Sequence, residues 1–160
     1  MNEISKLLTN ERFKGLMFCQ LFLPNKHRII LLYRWDSNDP TLSLHDTNHN
    51  VYRLDPSGSV VWQVRRDDSN RPDDWWEQLH ALARSEGYDG AREPFMYIDL
   101  EYPDGRRITS DEQGDGKGIL LWEPGCLIRL VGSAYQKYIL DPETGIAKNV
   151  TPVPCHERPW

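Results

Sequence analysis

The densest set of chemistry-bearing side chains is the run His45-Asp46-Thr47-Asn48-His49-Asn50. Its histidines stand four residues apart. On a helix that spacing brings two imidazoles to one face, where they can share a metal ion. The flanking residues read instead as short strands near 41–46 and 50–54, so the expected context is a hairpin turn. No third metal ligand can be placed from the chain, and no metal is assigned. Asn, Asp and Thr are also what any exposed turn uses. His45, Asp46, Asn48 and His49 therefore stand as a candidate polar loop, special to the first half of the chain.

The second concentration is the acidic and aromatic segment from Asp67 to Glu77. Asp67, Asp68, Asp73 and Asp74 surround Arg71, and Trp75 and Trp76 follow. A single-sign patch beside large aromatic rings suits a partner with a basic surface, through steering and aromatic anchoring. These six acids and tryptophans are the candidate partner-binding residues. The structural alternative is that acids favour a helix N-terminus and that the tryptophans belong to the core.

Other chemistries find less support. Asp111, Asp115 and Gly116 occupy three positions of a calcium loop, but Gln113 is a weak third ligand and Trp122 stands where the twelfth-place acid belongs. Lys117 is followed by Gly118, so the phosphate-loop pattern is absent. Cys19 reads as core, Cys126 as the start of a strand, and Cys155 as part of a proline-spaced tail. None has a base placed beside it, as a nucleophilic thiol requires. Asp99 and Glu101 with Arg107 opposite read as a cross-strand ion pair. No catalytic residue and no cofactor is assigned.

The elements that must position these groups show an internal likeness. Residues 16–29 and 95–108 share Met17/Met96, Leu21/Leu100, Pro24/Pro103, Arg28/Arg107 and Ile29/Ile108. Residues 30–33 resemble 119–122, and Tyr52-Arg53-Leu54-Asp55-Pro56 resembles Tyr138-Ile139-Leu140-Asp141-Pro142. The expectation is two tandem repeats, about 1–70 and 71–150, of roughly eighty residues each. Each is a short helix followed by an antiparallel meander. In the second repeat the helix spans 73–86, with Asp73 or Asp74 as cap. In the first it carries Ile4, Leu7 and Leu8. Further strands are expected at 16–23, 27–34, 59–66, 94–102, 106–110, 118–122, 126–131, 135–140 and 145–150. Turns fall at Asp55–Gly58, Tyr102–Arg106 and Asp141–Gly145, where Pro presets one corner and Gly accepts positive φ. The fold class is α+β and β-rich, with the repeats related by a pseudo-twofold axis around one shared core. Half the chain alone would leave a marginal core and open sheet edges. The reading is thus one domain over 1–150 with an extended, proline-rich tail at 151–160. The Leu54-Asp55-Pro56 turn followed by Val60-Val61-Trp62 resembles a blade turn of quinoprotein-type β-propellers, but the chain lacks the shorter period and repeated blades of a propeller.

The 160 residues carry a formal net charge of -5, and 39% are hydrophobic. That composition is globular rather than disordered. An acidic chain is a poor sequence-independent nucleic-acid binder, although Arg65, Arg66, Arg106 and Arg107 would be its basic candidates. The apolar run 16–23 is too short to span a bilayer, and no small-residue cleavage site follows it. Three sparse cysteines do not make a disulfide scaffold. A cytoplasmic protein without a membrane partner is expected, with homodimerisation through open sheet edges compatible with the pattern. The leading functional expectation is a non-enzymatic protein-binding module, such as an inhibitor or a toxin-immunity protein. The alternatives are a small-molecule binder with a pocket between the repeats, lined by Trp35, Trp62 or Trp122, and an enzyme whose residues meet only in space.

Overall fold

The computed structural model describes residues 17–33, 43–110, 119–133 and 136–152. The first-repeat helix, Trp35, the glycine-rich loop from Asp111, Cys155 and the tail beyond Pro152 lie outside the described residues.

The strands are β1 (Met17–Phe22), β2 (Arg28–Tyr33), β3 (Val51–Leu54), β4 (Val60–Gln63), β5 (Arg65–Asp67), β6 (Phe95–Glu101), β7 (Arg107–Thr109), β8 (Ile119–Leu121), β9 (Leu127–Gly132), β10 (Lys137–Leu140) and β11 (Ile146–Asn149). Among the described residues two α-helices accompany them, α1 (Leu44–Asn48) and α2 (Trp75–Ser85). The chain is β-rich α+β. One sheet runs β4-β3-β2-β1-β8 and the other β5-β11-β10-β9-β6-β7. Both are mixed. The pairs β1–β8 and β5–β11 are parallel, and the rest are antiparallel.

The turns follow from local chemistry. Gly58, Gly105 and Gly145 all have positive φ, as the sequence pattern requires. At Gly145 a Cβ would also meet the Trp62 ring at 2.6 Å. The Trp62 indole N–H donates to the Pro142 carbonyl at 2.9 Å, so this ring closes over the β10–β11 turn.

Two strand exchanges tie the halves together. The stretch expected as one strand over 59–66 breaks at Val64. That residue is buried, and β5 leaves the first sheet to pair with β11 of the second. In return β8 pairs with β1 of the first sheet. The sequence-matched segments 30–33 and 119–122 thus take different places, β2 inside the first sheet and β8 at its edge. Cys19, Leu21, Ile29, Leu31 and Val51 from one sheet join Phe95, Ile98, Leu100, Ile128, Leu130, Tyr138, Leu140 and Ala147 from the other in a single buried cluster. The core lies between the sheets, where alternating strand positions from both faces meet. Asp99 departs from strict alternation. It is buried on β6 and accepts from Arg107 Nη2 at 2.5 Å across the hairpin.

Candidate functional site

The polar run 45–50 is where the structure departs most from local pattern. Residues 41–46 were expected to be a strand, yet Leu44–Asn48 is a single helical turn. The Ser43 hydroxyl caps it, accepting from the Asp46 amide at 3.0 Å. Helical geometry then stacks His45 on His49, with ring centroids 4.2 Å apart. The His49 Nδ1 lies 2.7 Å from the His45 carbonyl oxygen. A carbonyl only accepts, so Nδ1 carries the proton and Nε2 keeps its lone pair.

The rest of the run anchors this turn. Asn48 is buried, donates to the Ala91 carbonyl at 2.9 Å and accepts from the Glu93 amide. Asn50 donates to the carbonyls of Leu32 and Phe95 and accepts from the Phe95 amide, which stitches β2 to β6. Thr47 accepts from buried Arg92 at 2.8 Å, and Asp46 accepts from Gln63. So Asp46, Thr47, Asn48 and Asn50 hold the backbone, while His45 and His49 line a cavity beside it.

Arg66 and Asp68 come from β5 and the residue that follows it. Arg66 donates to the Asn48 carbonyl at 2.7 Å, to the Tyr138 hydroxyl at 3.1 Å and to the Glu93 carbonyl. Its guanidinium lies 4.0 Å from the centroid of the Phe95 ring. Burial pulls its pKa down, opposed by Tyr138 and Asp68. The Tyr138 hydroxyl donates in turn to Asp68 Oδ1 at 2.6 Å. Asn149 donates to the same oxygen, and the Trp76 indole N–H donates to Oδ2 at 2.8 Å. Burial pushes the Tyr138 phenol well above its usual range.

The opposite wall is α2. Asp74 stands at its N-cap, but its carboxylate accepts from the Gln78 side chain instead of a backbone amide. Trp76 and His80, four residues apart, share a face with centroids 5.6 Å apart. His80 Nδ1 accepts from the Ala91 amide at 2.9 Å, so the neutral ring carries its proton on Nε2. Gly90 lets the walls meet. A Cβ there would lie 2.5 Å from Leu44 Cδ1 and 3.0 Å from His80 Nδ1.

These groups enclose a cavity of about 450 Å³, lined by Leu44, His45, Asn48, His49, Arg66, Asp68, Trp76 and His80. That is within the size range of small-molecule sites. Burial lowers the His49 pKa below its ordinary 6.5, opposed by its hydrogen bond to the His45 carbonyl and aided by the Arg66 charge, so its ring is neutral near pH 7. Among the described residues no cluster of three or more His, Cys, Asp or Glu side chains could hold a metal ion.

The two sequence-marked clusters therefore converge in part. His45, Asn48 and His49 meet Asp68 and Trp76 around one cavity. Asp67 turns back to accept from the Ser69 amide. Asp73 and Asp74 are exposed, and Trp75 lies half-buried beneath the Arg71 guanidinium. Trp62 and Trp122 pack against the core instead of lining the cavity. Cys19 is a core thiol whose pKa burial raises, and Cys126 Sγ accepts from the Glu123 amide. His80, Tyr138 and Asn149 carry no site reading in the sequence, and Arg66 stands there only as a basic candidate for nucleic acid. Only His80 had a usable signal, its helical spacing from Trp76. No protein-family model matches the chain, no curated protein matches it, and no solved structure matches it. Among the described residues no helix is long and apolar enough to cross a membrane.

Proposed function

We propose that the protein binds a small molecule in the cavity between α1 and α2. The carrying observation is the about 450 Å³ space edged by three histidines, an indole and a half-buried charge pair held by its own partners. Polar groups held in place by their own partners, around a space that a small molecule fills, are what a binding pocket needs. The reading extends to the tandem repeat. Leu44 to Asp68 come from the first repeat and Trp76 and His80 from the second, so the cavity falls at their junction. The runs β4-β3-β2-β1 and β11-β10-β9-β6 support a shared meander. A thermal-shift screen over charged and uncharged compounds tests the binding. One chemical class should raise Tm and quench Trp76 fluorescence. A screen in which no class does either overturns the reading.

A second reading is a protein-binding module, an inhibitor or toxin-immunity protein. It rests on the outer side of α2, where Asp73, Asp74 and Glu77 are exposed, Leu82 is 59% exposed and nearby Tyr88 is 45% exposed. Reversing Asp73 and Asp74 to lysine should then slow association with a basic partner and flatten its salt dependence. An unchanged association rate removes it.

A further inference from the structure

The two formal charges at the cavity are already engaged. Every nitrogen of the Arg66 guanidinium donates to a protein oxygen, and both Asp68 oxygens accept from Tyr138, Asn149 or Trp76. An ionic ligand would therefore meet two charges that the protein's own groups already offset, and it would compete with these bonds for a counter-charge. Recognition falls instead to the imidazoles, whose tautomers their partners determine. His49 donates through Nδ1 to the His45 carbonyl, which leaves Nε2 as an acceptor. His80 accepts at Nδ1 from the Ala91 amide, which leaves Nε2–H as a donor. Neither ring has a further hydrogen-bond partner among the described residues. The Trp76 indole and the stacked His45–His49 rings line the same cavity as these two polar points.

We infer that the ligand is an uncharged planar nitrogen heterocycle of nucleobase type, giving an N–H to His49 Nε2 and taking the His80 Nε2–H on a carbonyl or ring nitrogen. The inference rests on the small-molecule reading and narrows it. A cavity of about 450 Å³ holds one such ring with a substituent. Flat faces favour stacking of a planar ring. A donor facing an acceptor at each polar point rejects analogues that lack either group.

The test uses the full chain and four probes: uracil, 1,3-dimethyluracil, benzoate and benzamidine. Nitrogen-15 NMR of the imidazoles comes first. It should show the proton on Nδ1 of His49 and on Nε2 of His80, and the reverse tautomers overturn the assignment before any probe is added. Uracil at millimolar concentration should then shift the imidazole resonances of both residues. Dimethyluracil, which has no N–H, should bind about tenfold more weakly or not at all, consistent with loss of one hydrogen bond. The folded variant His49→Phe should lose the same factor for uracil, while the methylated probe poses the question without any mutation. Equal binding of both uracils overturns the donor–acceptor pairing. Binding of benzoate or benzamidine in place of uracil overturns the uncharged class and leaves the pocket reading standing. Failure of every probe overturns the inference, and the thermal-shift screen decides the pocket reading separately.

Discussion

One phenol links half-buried Arg66 to Asp68. The Tyr138 hydroxyl accepts from Arg66 and donates to Asp68, so a single oxygen joins the two charges. Tyr138→Phe removes that link while keeping the ring that meets Phe95 edge-on at 5.1 Å. Stability should fall by about 1.5–3 kcal/mol, the scale for a hydrogen bond to a charged group, read as a lower urea midpoint at unchanged slope. A loss under half a kcal/mol would mean that Arg66 and Asp68 are compensated elsewhere. His49 adds a pH dependence of known sign. Its folded pKa lies below 6.5 while the unfolded value stays near 6.5, so the unfolded chain takes up the proton first as pH falls. The contribution is complete above pH 6.5 and diminishes as pH drops through 6.5 toward the folded pKa. Denaturation midpoints should decline over that window in the wild type and less steeply in His49→Phe. Equal slopes would remove His49 as the cause.

At the level of elements, the cavity depends on the close approach of α1 to the segment after α2. Gly90 sits at that contact, with Leu44 and His80 against it. Gly90→Ala puts a methyl group where Leu44 Cδ1 now lies. The leucine can rotate, but the His80–Ala91 hydrogen bond has less room to give. A destabilisation of about 1–3 kcal/mol is expected, the range for overpacking, together with a shifted His80 imidazole resonance. An unperturbed resonance would show that the flexible side chain absorbs the change alone. The turns at Gly58, Gly105 and Gly145 were legible in the sequence because a turn is decided by the few residues inside it. Helix α2 was legible too, from helical spacing and a Gly stop at Gly87, which has positive φ. Helix α1 was not. A single turn of five residues has too little length for periodicity to register.

For the molecule as a whole, the two sheets are joined by the exchanged strands β5 and β8 and by Asn50. Asn50 meets carbonyls of Leu32 and Phe95 and the Phe95 amide, all buried, in contact with both sheets. Asn50→Ala should cost on the order of 3 kcal/mol, because backbone groups of both sheets lose their partner inside the core. Unfolding followed by tryptophan fluorescence and by circular dichroism should still coincide in one transition. Two separated transitions would mean that the sheets unfold independently. By itself the sequence determined the β-rich class, most strand positions, the glycine turns and α2, because alternation, helical spacing and turn chemistry act over a few neighbouring residues. The grouping of residues around the cavity was decided only when the chain closed on itself. Arg66 and His80 are held by backbone groups of Asn48, Glu93 and Ala91, and Tyr138 by the side chains of Arg66 and Asp68, none of which a local pattern marks. The same long-range pairing turned residues 44–48 into a helix and bent the chain at Val64. Side chains and backbone groups buried there had to find partners across the fold, and that requirement outweighed local preference.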